Sequence, residues 1–257
     1  MTWWEGLVLG VLQGLTEFLP VSSSGHLVVA EGLLGLHSPG VAVEVMLHLA
    51  TLLAVVIVYR VALLRLAGGL WRRESDASAQ IIFLVAASVP AAVIGLAFRD
   101  ALTSAFDSYL LVGVDFLLTG VLLVSTRWIR PRPERTITLG TALLVGVAQA
   151  VAILPGISRS GTTIAAALWR GVPAWRAAEF SFLMAVVVIA GSGVLEARHL
   201  GALPITAGLV TAFVSALVSG VIAIRSLLWL LRVRRFHHFA PYLFAMGAFT
   251  LLWFRAL

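Results

Sequence analysis

The stretch Leu19–Leu27 reads LPVSSSGHL, and its interpretation decides the fold. It interrupts an apolar run, GLVLGVLQGLTEF from Gly6 to Phe18, and places three hydroxyls and an imidazole directly after the carboxylate of Glu17. The surrounding chain is not that of a soluble domain. Of 257 residues, 60% are hydrophobic and 12% charged, whereas soluble domains carry about 25% charged residues. The many long apolar runs predict an all-α, polytopic membrane protein. The absence of cysteine excludes a disulfide framework and a thiolate metal site. All eighteen basic residues are arginine, and they cluster in short loops. The basic pI of about 11 is therefore a loop property, and no nucleic-acid surface is expected. The first residues lack the basic region and A-x-A site of a secretory signal, so no cleaved leader is expected.

A spanning helix needs roughly 17–25 residues. Six stretches meet or approach that length: 41–59, 81–98, 109–126, 177–195, 204–224 and 239–254. Two regions do not. Residues 3–18 and 27–36 are short apolar pieces flanking LPVSSSGHL, and residues 139–154 and 161–169 flank PGISRSG in the same way. Non-helical backbone at membrane depth is tolerated only where protein or a water-filled cavity surrounds it. Each pair is therefore expected to form a re-entrant helical hairpin, giving six spanning helices and two hairpins. Arginine placement agrees. The segments 60–73, 127–135, 170–176 and 225–235 carry Arg60, Arg65, Arg72, Arg73, Arg127, Arg130, Arg132, Arg135, Arg170, Arg176, Arg225, Arg232, Arg234 and Arg235. With six spans all four fall on one side, which the positive-inside rule makes cytoplasmic, leaving Arg99, Arg198 and Arg255 opposite.

A shift of 136 residues superimposes the hairpins. Gly10 falls on Gly146, Gln13 on Gln149, Ser22 on Ser158, Ser24 on Ser160, Gly25 on Gly161 and Gly35 on Gly171. The stripe Gly6, Gly10, Gly14 becomes Ala142, Gly146, Ala150, a small-residue face on which helices approach closely. Three spans separate the copies, so the second is inverted. The chain divides into repeats 1–135 and 136–257 within one membrane domain, with the first hairpin entering from outside and the second from inside. Inverted repeats with broken helices place a site near the midplane.

Each polar turn precedes the N-terminus of a half-helix, whose free N–H groups and dipole favour an anion. Ser22, Ser23, Ser24 and Gly25 furnish the first turn, and Ser158, Arg159, Ser160, Gly161 and Thr162 the second. A buried arginine costs about 2.5–3.5 kcal/mol on insertion scales, so Arg159 must face a partner. Its planar fork suits phosphate oxygens. A purely structural ion pair with Glu17 is the alternative, and it would leave the serines surplus. Gln13 and Glu17 share a helix face one turn apart, and Ser23 and His26 are three residues apart across the turn. This is an inventory for phosphoryl transfer: Ser23 attacks and His26 takes its proton, His26 attacks directly with Glu17 orienting it, or Glu17 or His26 activates a metal-bound water. Of these, Ser23 is favoured as a phosphate contact and His26 as the nucleophile or base. A carboxylate beside a polyanion calls for a divalent cation bridging Glu17 and phosphate. Weaker candidates are Glu44 with His48, Asp115 and Glu179; His237 and His238 read as solvated loop residues.

GVLQGLTEFLPVSSSGHL and GVAQAVAILPGISRSGTT resemble the two signature motifs of the undecaprenyl-diphosphate phosphatase family of the bacitracin-resistance membrane type. HLATLLAVV, SVPAAVIGL and AAEFSFLMAVVVIAGSG extend the resemblance over most of the chain. The resemblance implies a divalent-cation-dependent enzyme, served by Mg²⁺ or Ca²⁺, of the bacterial cytoplasmic membrane. It implies removal of the terminal phosphate of a prenyl diphosphate lipid, regenerating the carrier for peptidoglycan synthesis, and leaves a homodimer open. The family's glutamate-rich motif falls on Gln13 and Glu17, which the resemblance implies as the metal-side residues, its serine and histidine on Ser23 and His26, and its arginine on Arg159. Three departures stand out: Gln at position 13 in place of Glu, His48 where many members have Gln, and no proline in AVVVIAG. The competing expectation is a transporter or flippase of a prenyl phosphate, since broken inverted repeats are a transporter architecture. A transporter has no use for a nucleophile beside a base.

Overall fold

A computed structural model describes residues 1–34, 41–130, 132–200 and 206–254, with the side chains of 34, 41, 42 and 195–200 left aside. Expectations for Gly35, the Arg198 side chain and Arg255 lie outside the described residues. Among the described residues there are eleven α-helices and no strand. The helices are α1 (Trp3–Phe18), α2 (Ser23–Leu34), α3 (Val41–Trp71), α4 (Ser75–Ala97), α5 (Arg99–Ala105) and α6 (Tyr109–Ser125). They continue as α7 (Leu139–Val151), α8 (Arg159–Trp169), α9 (Ala174–Leu200), α10 (Ala207–Arg232) and α11 (Ala240–Trp253). Among the described residues five segments are long and apolar enough to cross a membrane: Val43–Trp71, Ser75–Ala97, Tyr109–Trp128, Ala174–Val194 and Ala207–Arg232. The sixth expected span, 239–254, coincides with α11, which has 14 residues and follows a 3₁₀ turn at Phe236–Phe239.

Local chemistry sets the two breaks. The side chain of Thr2 and that of Glu5 cap α1 reciprocally. The helix stops at Phe18 because Pro20 excludes helical backbone at Leu19, which is extended at φ −65°, ψ 146°. The chain then turns through Ser22, a non-glycine residue at φ +70°. In the second break Gly156 takes φ +101°, and Ser158 caps α8 by accepting the N–H of Gly161 at 3.0 Å.

Small residues decide which helices meet. The stripe Gly6, Gly10, Gly14 lies directly against α10: a Cβ on Gly10 would collide with the Ala212 carbonyl, and one on Gly14 with that of Ala216. Gly146 of α7 meets the Ala87 carbonyl of α4 in the same way. Thus α1 packs on α10 and α7 on α4, while α3 packs on α9 and α6 on α11. Phe18, Phe116, Phe180 and Phe182 fill the centre, all essentially inaccessible. Val61, Leu64, Ile82, Leu96, Leu110 and Leu252 point outward, as lipid-facing residues do.

Several loop arginines come together: Arg127, Arg130 and Arg234 line one cavity with His237, and Arg65 and Arg176 line another. Arg176 donates to the Arg135 carbonyl at 2.9 Å, and the Arg132 N–H to that of Gly171 at 2.9 Å. Elsewhere, Tyr109 stacks on Phe254 beside Gly32, and Gly208 sits against Met1.

Candidate active site

The two breaks touch. The Gly156 N–H donates to Ser22 Oγ at 3.2 Å, and Ser160 Oγ donates to the Leu19 carbonyl at 3.2 Å. Gly25 lies against Gly156 so closely that a Cβ there would overlap it, and Gly161 lies against Pro20. Thr119 of α6 ties the junction down, donating to the Gly156 carbonyl at 3.1 Å and accepting the Ser158 N–H at 3.2 Å. Beside the junction is a cavity of about 230 Å³. Glu17, Ser22, Ser23, Ser24, Ser158 and Arg159 line it from the breaks, His48 from α3 and Gln149 from α7. Ala185, Val188 and Ile189 form an apolar wall from α9.

Glu17 is the hub. Its Oε1 pairs with Arg159 Nη2. Its Oε2 accepts from Ser23 Oγ at 2.7 Å and from Gln13 Nε2 at 3.1 Å, with His48 Nε2 at 3.9 Å. Ser23 and Arg159 correspond under the 136-residue sequence offset, since 23 + 136 = 159, and both reach the same carboxylate. The ion pair weighed as a structural alternative is therefore formed. Arg159 nevertheless keeps Nη1 buried and without a partner beside the cavity. One arm holds Glu17, and the other is available to an anion.

Two expectations need correction. Ser23 and His26 do not pair. His26 is turned away from Glu17, with Nδ1 2.7 Å from the Ser22 carbonyl and Nε2 2.6 Å from Tyr242 Oη. A carbonyl only accepts, so Nδ1 carries the proton and, in the neutral ring, Nε2 accepts the tyrosine hydroxyl. The ring stacks on Tyr242 and stands edge-on to Phe116. His26 thus secures the strained turn at Ser22 instead of facing the cavity. Nor does Gln13 line the cavity: it is fully buried behind Glu17 and orients that carboxylate.

The remaining expected contact residues divide. Ser22, Ser24 and Ser158 reach the cavity. Gly25, Ser160 and Gly161 interlock the breaks, and Thr162 Oγ1 is spent on the Ser158 carbonyl at 2.9 Å. Sequence reasoning left His48 among the weaker candidates and did not place Gln149 or Tyr242. Nothing in the local sequence of α11 marks Tyr242 as the partner of a residue 216 positions away.

Among the described residues no group of three or more His, Cys, Asp or Glu side chains can hold a metal ion. What is present is one carboxylate, Glu17, with the Gln13 amide behind it, whose Oε1 is buried and has no partner. That set fits a cation which takes most of its ligands from substrate oxygens, as Mg²⁺ does.

These features define a class: an all-helical, multi-pass membrane protein with a polar cavity where two broken helices meet. Within that class, the family model described as Bacitracin resistance protein BacA matches residues 6–249, and the chain belongs to that family. The undecaprenyl-diphosphatase of Salinibacter ruber is 41% identical over 270 residues, covering 98% of this chain and 99% of its own. That of Desulfatibacillum aliphaticivorans is 38% identical over 274 residues, with 98% and 99% covered. That of Bacteroides fragilis is 34% identical over 262 residues, with 98% of both covered.

Proposed function

We propose that this protein is an undecaprenyl-diphosphate phosphatase that releases the terminal phosphate at the outer face of the bacterial cytoplasmic membrane. The observation that carries the reading is the Ser23 hydroxyl donating to Glu17 at 2.7 Å in a cavity shared with a half-free arginine. In this reading Arg159 Nη1 and the hydroxyls of Ser22, Ser24 and Ser158 receive the terminal phosphate. Glu17 takes the Ser23 proton as Oγ attacks phosphorus. The Oγ–P bond forms, the bridging P–O bond breaks, and the lipid monophosphate leaves. Water then cleaves the phosphoserine, releasing inorganic phosphate and restoring the hydroxyl. His26 holds the turn that aims Ser23. Glu17, oriented by Gln13 behind it, is the residue on which a divalent cation would be held, and such a cation would supply charge neutralisation for the diphosphate.

The architecture fits two inverted repeats, 1–135 and 136–257, with two re-entrant hairpins among six crossings. The first helix of each half packs on the fourth of the other, α1 on α10 and α7 on α4, as interlocked copies do. The arginine-rich loops lie on the cytoplasmic side in this reading, and the first hairpin opens outward. Broken repeats alone serve transporters equally well, but the serine–carboxylate contact has no purpose in transport. Phosphate release from a prenyl diphosphate by the purified protein tests the reading, and protein that binds the lipid without releasing phosphate refutes it.

A further inference from the structure

Gln149 is a polar side chain of the cavity that has no partner and for which the mechanism above finds no use. It lies on α7, is 3% exposed and lines the cavity, yet neither Nε2 nor Oε1 has a partner. An amide has two N–H donors and an oxygen with two lone pairs, and burying it unpaired opposes folding. The other half of the molecule shows what normally satisfies this position. Its equivalent is Gln13, since 13 + 136 = 149, and Gln13 Nε2 donates to Glu17 Oε2 at 3.1 Å. The residue in the place of Glu17 is Ile153, since 17 + 136 = 153, and it too lines the cavity. The second half carries the amide without the acid. A buried amide with no acceptor, at the wall of a cavity, is set for an acceptor that comes from outside.

The position of that acceptor follows from what surrounds it. Glu17, Ser23 and Arg159 form one connected cluster, and Gln149 hydrogen-bonds to none of them. A phosphate against Ser23 and the free arm of Arg159 leaves the amide for the next oxygen-rich group along the substrate. Resting on the phosphatase reading, we propose that Gln149 is a positioning and specificity residue. It donates through Nε2 to the phosphate that stays on the lipid, and so holds the diphosphate in line with Ser23. Both the diphosphate substrate and the monophosphate product then depend on it, and inorganic phosphate does not.

The test uses the purified full-length protein with farnesyl diphosphate as substrate and farnesyl phosphate and inorganic phosphate as inhibitors. Gln149→Leu keeps the volume and removes the hydrogen bonds. Loss of a hydrogen bond to a charged group predicts a rise of about ten-fold or more in KM and an equal rise in the inhibition constant of farnesyl phosphate. The inhibition constant of inorganic phosphate should stay within about two-fold. Because an unpaired amide is replaced by an apolar isostere, the ligand-free Tm should not fall. Gln149→Ala should show the same KM and inhibition pattern with a lower Tm, from the cavity it leaves. Unchanged constants in a folded variant overturn the proposal. So does an equal loss of inorganic-phosphate inhibition, which would put Gln149 on the transferred group. A fall in Tm for the leucine variant would show that the amide has a structural partner, and likewise overturns it. Stabilisation of the wild type, but not of Gln149→Leu, by farnesyl phosphate is read without turnover. It separates this proposal from failure of the phosphatase reading, in which the wild type releases no phosphate.

Discussion

Arg159→Lys is the substitution that separates geometry from charge. Arg159 lines the cavity and has two arms: Nη2 pairs with Glu17 Oε1, and Nη1 is buried and without a partner. Its side chain is 17% exposed and that of Glu17 is 7%, so the pair is largely shielded from water. Removing one member of such a pair costs about 3–5 kcal/mol through the charge left behind. Arg159→Ala should therefore lose both stability and activity. Lysine restores the charge and can hold Glu17, but its single ammonium cannot also supply the second arm. Loss of a hydrogen bond to a charged group is worth about 1.5–3 kcal/mol. The lysine variant should thus fold with nearly the wild-type Tm and lose about 10- to 150-fold in kcat/KM. Phosphate release gives the rate, and a thermal-shift measurement of the same preparation gives the stability. A lysine variant within about three-fold of wild type would show that Arg159 acts through charge alone and that its free arm is irrelevant.

Hydrolysis should stop on exhaustive chelation and return with added Mg²⁺ or Ca²⁺, because Glu17 and a diphosphate repel each other without a cation; full activity in chelator would remove that role for Glu17. Tyr242→Phe frees His26 Nε2 and should lower kcat by only a few-fold, whereas His26→Ala releases the Ser22 turn and should cost about 100-fold or more. Equal, severe losses would mean instead that the Tyr242–His26 pair takes part in proton transfer. Gly10→Val sets side-chain atoms against the Ala212 carbonyl and the Ser215 hydroxyl, and should cost several kcal/mol of stability, read as a Tm many degrees lower. An unchanged Tm would mean that α1 and α10 are not packed as described.

What the sequence revealed, and what it hid, follow one physical rule. A polar residue in an apolar run is costly enough to be noticed, so Glu17, Ser23 and Arg159 stood out, and the structure brings all three together. The breaks were equally visible, because the polar turns LPVSSSGHL and PGISRSG cut their apolar runs short of a spanning length. His26 was misplaced because three-residue spacing puts it near Ser23 but does not say which way the ring turns. Its orientation is set by Tyr242, from the last helix, and no local pattern encodes that. His48 was obscured by Glu44, one turn away, which looked like its natural partner; the ring instead binds the Glu44 carbonyl at 2.8 Å through Nδ1 and turns Nε2 toward Glu17. Gln149 was legible only as the mate of Gln13. That it has no partner depends on Ile153 and on the packing of α7 against α4, which is a three-dimensional fact.

The claim on which everything else turns is that Ser23 is the nucleophile and Glu17 its base. Rapid quenching of a single turnover with a diphosphate labelled at the terminal phosphorus tests it directly. The account predicts an acid-stable phosphoenzyme that maps to Ser23, absent in Ser23→Ala and formed far more slowly in Glu17→Gln. A label on His26, or none at all while Ser23→Ala still turns over, would contradict it.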